Sequence, residues 1–91
     1  MSDTRLQTMR SRLDNVLHPL VLELQDESHL HAGHVGAREG RGHYRVRIVS
    51  PAFQGLRPIA RHQLIYGALG DLMQTDIHAL SITALAPGEL G

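Results

Sequence analysis

Residues 56–80 read LRPIARHQLIYGALGDLMQTDIHAL, and the fold turns on how this stretch divides. Leu64, Ile65, Ala68, Leu69, Leu72 and Met73 recur at offsets of three and four, which is one face of a helix. The spacing predicts a main helix over about 59–74, opened near Pro58 and stopped at Thr75-Asp76. A strand over about 77–85 follows at once. Leu80, Ile82 and Ala84 share one of its faces, His78 is in phase with them, and Pro87-Gly88 ends it.

Upstream, Tyr44, Val46 and Ile48 alternate with Arg45 and Arg47, the pattern of a half-buried strand. Ser50-Pro51 fits the N-cap and first position of a short helical turn. Phe53, the single phenylalanine, is expected to anchor the core. Gly55 lets the chain turn sharply. At the start, Thr4-x-x-Gln7 fits a capping box. Leu6, Met9, Leu13, Val16 and Leu17 form an apolar stripe that predicts a helix over about 4–17, ended by His18-Pro19. Leu20 to Gln25 alternates as a strand, closed by Asp26-Glu27-Ser28, and is expected to pair antiparallel with the Tyr44 strand. Residues 28–42 between them, rich in glycine and histidine, read as a long loop of the kind that often carries function. The order is helix, two strands, turn plus helix, strand. The last helix and strand cross over to extend the sheet. This implies an α+β fold, a three-stranded mixed sheet with helices packed on one face, as a single domain over 1–91.

Composition narrows the function. The 91 residues carry nine basic and nine acidic side chains, so bulk electrostatics does not favour nucleic acid. All nine basic residues are arginine, suited to two-pronged contacts with carboxylate or phosphate. There is no cysteine, which excludes disulfides, zinc ribbons and an all-cysteine iron–sulfur site. No apolar run approaches the roughly 20 residues of a membrane span, and no signal-peptide pattern opens the chain. The expectation is a soluble cytoplasmic protein. Seven histidines are the unusual feature, and they make the net charge rise as pH falls through about 6.5.

Three constellations bear on chemistry. In His29-x-His31-x-x-His34, close spacing in a loop lets several imidazoles converge on a metal ion; the alternative is a solvated, histidine-rich loop. The spacing is also near that of metallo-β-lactamase-like hydrolases. Gly33 stands where that motif needs an aspartate, and the chain is far too short for that fold. His78, taken alone, reads as a partly buried, hydrogen-bonded histidine at a strand start. Arg61-His62, at the head of the main helix, read as solvated side chains. No nucleophile–base pair stands out, and no catalytic activity is expected.

A strand ending Val49-Ser50, then Phe53-x-Gly55, Arg61-His62, a helix and Ile77-His78-Ala79-Leu80, in that order, resembles the BolA family over roughly residues 5–89. The resemblance implies an αββααβ arrangement similar to a type II KH domain. KH domains clamp nucleic acid through a Gly-x-x-Gly loop, but Phe53-Gln54-Gly55-Leu56 supplies one glycine. The resemblance further implies a non-enzymatic iron–sulfur adaptor that binds a monothiol glutaredoxin through a bridged 2Fe–2S cluster, with glutathione completing the ligands. His78 then matches the family's characteristic cluster ligand. His31 best matches the loop ligand, with His29 and His34 as rivals. Imidazole in place of thiolate makes a cluster less negative and raises its potential, and binding requires the deprotonated ring. The alternative that the family suggests is a DNA-binding transcriptional regulator of stress response and cell morphology. Arg57, Arg61, His62, Arg45 and Arg47 are its candidate contacts to DNA or to a protein partner. The chain alone is expected to be a monomer or weak homodimer. It departs from the family where Gln63 follows Arg61-His62 in place of a second arginine, and where Pro87-Gly88-Glu89 replaces a Pro-x-x-Trp-like ending.

Overall fold

A computed structural model describes residues 2–28 and 42–89. The chain runs α1 (Ser2–Leu17), β1 (Val21–Asp26), β2 (Gly42–Val49), a 3-10 turn (Pro51–Phe53), α2 (Pro58–Leu69), α3 (Leu72–Thr75) and β3 (Ile77–Leu85). The strands lie in the order β1-β2-β3. β1 pairs antiparallel with β2, and β3 runs parallel to β2, as a crossover through α2 and α3 requires. The sheet is mixed and the fold is α+β.

One sheet face and the helices make the core. Met9, Leu13 and Leu17 of α1, Val46 and Ile48 of β2, Phe53, Ile65 and Leu69 of α2, and Ile77 are all buried. Leu22, Leu24, Leu80, Ile82 and Ala84 pack against this cluster from the same sheet face. The opposite face carries Glu23, Gln25, Arg45, Arg47 and Thr83 around an open groove of about 250 Å³. The alternation in each strand therefore does what its period requires, sending apolar side chains to one side and polar ones to the other.

Three local expectations are corrected. α1 begins at Ser2, so Thr4 lies inside the first turn and does not cap it. Val16, assigned to the buried stripe, is 54% exposed. The single helix over about 59–74 is two: α2 stops at Leu69 and α3 starts at Leu72. The break is Gly70, with φ 58° and ψ −129°, a backbone state that side-chain-bearing residues avoid. Arg12 of α1 secures the break. Its Nη1 donates to the Leu69 carbonyl at 2.8 Å and to Asp71 Oδ1 at 2.7 Å. Periodicity carries across this kink because both pieces bury their apolar side against the same core.

At the other end of α1, His18 takes the left-handed conformation (φ 45°), and its N–H donates to the Asp14 carbonyl at 3.1 Å. This closes the helix before Pro19. Ser50 then ties three elements together. Its hydroxyl donates to the Leu17 carbonyl at 2.6 Å and accepts the Ala52 N–H at 3.1 Å, and the residue is fully buried. Ser50→Ala leaves both groups without that partner, so we expect a loss of about 1–3 kcal/mol in a urea melt. A loss under about 0.5 kcal/mol would mean that other groups or water replace the hydroxyl.

Candidate functional site

His78 is exposed, at the start of β3. The pairing of β2 with β3 shifts there: Gly42 pairs with Ile77, but His43 pairs with Ala79. β3 thus has one residue more than β2 across this step, and His78 is the residue left over, which is a β-bulge. The bulge lets Ile77 and Leu80, three apart, both turn to the core. The phase that placed His78 with Leu80 on the buried face breaks at that point. The expectation of a partly buried His78 is corrected to a solvent-facing one.

The His78 ring rests on another imidazole. Its centroid lies 5.0 Å from that of His43, with the planes tilted by 53°. His43 falls in phase with the outward Arg45 and Arg47, yet is only 8% exposed. Its N–H donates to Ser28 Oγ at 3.1 Å, and its carbonyl accepts the Glu27 N–H at 2.8 Å. Glu27, His43, Ala79 and Ser81 border a shallow depression of about 140 Å³ beside this pair. Sequence reading missed His43, because only the pairing register brings it to His78.

The bulge is braced from below. Gly42 N–H donates to the Asp76 carbonyl at 2.9 Å. Arg5 Nε donates to Asp76 Oδ2, and Arg5 Nη1 to the Tyr44 hydroxyl, both at 3.0 Å. The Thr75 hydroxyl donates to Asp76 Oδ1. A Cβ on Gly42 would come within 2.6 Å of the Tyr44 hydroxyl oxygen and 2.7 Å of Ser28 Oγ, so the approach of these groups needs glycine. Helix α1, the end of β1 and the α3–β3 junction therefore all hold the strand ends that carry His43 and His78.

His29, His31 and His34 lie outside the described residues. Among the described residues, no group of three or more His, Cys, Asp or Glu side chains is placed to hold a metal ion. The exposed His78 imidazole offers a nitrogen donor, and the chain contains no cysteine. Such a donor suits an iron–sulfur cluster only as one ligand among others brought from the 29–41 segment or from a partner.

The arginine candidates separate. Arg61, read as solvated, is buried at 9% exposure and committed to the fold. Nη1 and Nη2 donate to the two Glu89 carboxylate oxygens at 2.6 and 2.9 Å. Nε donates to the Leu56 carbonyl, and Nη1 also to the Ala84 carbonyl. That correction follows from the last turn: Gly88 at φ 91° folds Glu89 back, where it also accepts the Ala86 N–H. Arg57 is exposed at the head of α2. His62 is half-buried, edge-on to Tyr66 one turn on at 6.4 Å. Arg45 and Arg47 stand on the open sheet face beside Glu27 at 3.1 Å and Glu23 at 3.9 Å. The five candidates do not form one patch, since Arg45 and Arg47 share the helix-free face while Arg57, Arg61 and His62 belong to the helix side.

The Arg61 fork and the Ala86 N–H hold the Glu89 carboxyl down from 4.5 to about 2. A depressed carboxyl contributes stability that is fully present above its unfolded value and is lost as pH falls through the folded one. The gap in urea midpoint between the native chain and Glu89→Gln should be widest near neutrality and close between about pH 4.5 and about pH 2. A gap that stays constant with pH would show that the carboxylate charge is not its source.

Fold and site together define a small α+β domain that presents one histidine at a strand bulge, propped by a second ring. The family described as BolA-like protein matches residues 13–89. The chain belongs to the BolA family. It is 42% identical to SufE-like protein 1 (chloroplastic/mitochondrial) of Arabidopsis thaliana over 96% of this chain and 25% of that protein. It is also 38% identical to Protein BOLA1, chloroplastic, of the same plant, over 96% of this chain and 56% of that one. The chain thus spans only part of these two relatives. Among solved structures, the BolA domain of SufE1 from Arabidopsis thaliana superposes with TM-score 0.84 at 44% identity, covering 94% of this chain and 95% of that one. Mouse BolA1 gives 0.74 at 39% identity, covering 91% and 65%. No helix among the described residues is long and apolar enough to cross a membrane.

Proposed function

We propose that this BolA-family chain is a non-enzymatic, cytoplasmic iron–sulfur adaptor that joins a monothiol glutaredoxin through a bridged 2Fe–2S cluster. The observation that carries the reading is His78: an exposed imidazole on a braced bulge, in a chain with no thiol of its own. His78 is the ligand from the sheet, and His31 the ligand from the loop, with His29 and His34 as its rivals. The glutaredoxin cysteine and glutathione supply the rest, and alone the chain is a monomer or weak homodimer. The cluster supplies iron centres to which nitrogen donors bind. The chain supplies the donors and a rigid strand edge on which a partner seats. Regulation through DNA is the competing reading. Its turn-and-helix surface is weakened by the commitment of Arg61 to Glu89, which leaves Arg57 as its exposed arginine.

The test is visible absorption and circular dichroism of the chain mixed with a cluster-loaded monothiol glutaredoxin. We expect a spectrum distinct from that of the glutaredoxin homodimer, with co-elution on size exclusion. An unchanged spectrum without a complex would overturn the adaptor reading and favour promoter binding, to be measured at fixed salt.

A further inference from the structure

We infer that His43 is the positioning residue for His78: its buried ring is the platform that holds the exposed imidazole in one orientation. This rests on the adaptor reading and adds to it a residue that acts through His78. A strand residue usually has its direction set by its cross-strand neighbour and by the pleat. His78 has neither guide, because the register passes from the Gly42–Ile77 pair to the His43–Ala79 pair and skips it. An exposed side chain at such a place samples several rotamers. The contact that the structure gives it is the His43 ring at 5.0 Å and 53°, within the range of about 4.5–7 Å in which tilted ring pairs attract.

A platform must itself be fixed, and His43 is. Its backbone is held on both sides, by Ser28 Oγ at its N–H and by the Glu27 N–H at its carbonyl. Its neighbour Gly42 is anchored to Asp76, two residues before His78 in the chain. The two histidines therefore ride on strand ends that are tied to each other. His43 is 8% exposed, while the residue whose ring it supports faces solvent. A donor kept in one orientation gives up little freedom on binding, and groups that orient a ligand typically change affinity by about 10–100-fold when removed.

The experiment compares His43→Ala, which removes the ring, with His43→Phe, which keeps a ring and removes its nitrogens. The first readout needs no cluster: NMR of the free chain, following the His78 ring signals and side-chain couplings. In His43→Ala the His78 couplings should become rotamer-averaged and the ring-current shift from residue 43 should vanish. In His43→Phe they should stay those of one rotamer. The second readout is cluster retention with the monothiol glutaredoxin by circular dichroism. The cluster should be lost about tenfold faster with His43→Ala, and at nearly the native rate with His43→Phe.

Three results would overturn the inference. If His43→Ala leaves both readouts native, the ring holds nothing. If His43→Phe keeps His78 in one rotamer yet loses the cluster as fast as His43→Ala, His43 acts through its nitrogens and not as a platform. His78→Ala is the control that separates the two readings. A mixed cluster that survives it rejects His78 as a ligand, whatever the residue 43 variants do, and takes the functional sense of the platform with it, whereas the absence of any mixed cluster with the native chain removes the adaptor reading.

Discussion

Phe53→Ala should cost about 3–5 kcal/mol of folding stability, at the upper end of what truncation of a buried side chain costs. Phe53 is fully buried at the end of the 3-10 turn and is the only phenylalanine of a chain without tryptophan. Met9, Leu13, Val46, Ile48, Ile65 and Leu69 form the aliphatic core cluster to which it belongs. The turn that carries it is pinned by Ser50 and Pro51 on one side and enters a sharp glycine turn at Gly55 on the other. The backbone therefore cannot collapse into the space, and the cavity term adds to the lost transfer energy. A domain of this length holds about 5–14 kcal/mol in all, so the variant should lose much of its cooperative unfolding margin. Urea melts of the native chain, Phe53→Ala and Phe53→Leu check this, with Val16→Ala as the exposed control. A loss below about 1 kcal/mol at an unchanged denaturant slope would show that the core repacks around the gap.

His78→Ala should abolish the mixed cluster with glutaredoxin while leaving stability within about 0.5 kcal/mol of native, because the side chain is exposed. Few substitutions separate function from folding so cleanly. The contrast arises because the bulge and its bracing use the backbone and the side chains of Asp76, Tyr44 and Arg5, not the His78 ring. Adding His31→Ala should remove the proposed loop ligand as well, leaving only its rivals His29 and His34. Urea midpoints and cluster absorbance, measured on the same preparations, decide the matter. A persisting cluster with native spectrum in the double variant would reject the ligand assignment outright.

Much of this protein was legible in its residues. The period-two runs at Leu20–Gln25 and Tyr44–Ile48, the Ser50-Pro51 cap, the buried phenylalanine and the helix-then-strand order of 56–85 each correspond to an observed element. These are local matters. Alternation, capping and proline restriction act within a few residues, so the chain states them directly. The parallel β3 follows too, since a helix lies between it and the strand it joins.

What required three dimensions depends on pairs that are far apart in the chain. Glu89 reaches Arg61 across 28 positions, and an arginine that read as solvated became part of the fold. Arg12 meets Asp71 across 59 positions at the break between α2 and α3. The bulge is a property of two strands in register, which neither strand announces by itself, and it alone sends His78 outward and lays it on His43. The sequence by itself determined the order of helices and strands and, away from the bulge, the side of each strand that faces the core, because those follow from short-range sterics and hydrophobic period. Only the tertiary structure decided that Arg61 is committed to the fold and how the histidine is aimed, because both depend on where distant backbone segments come to rest against one another.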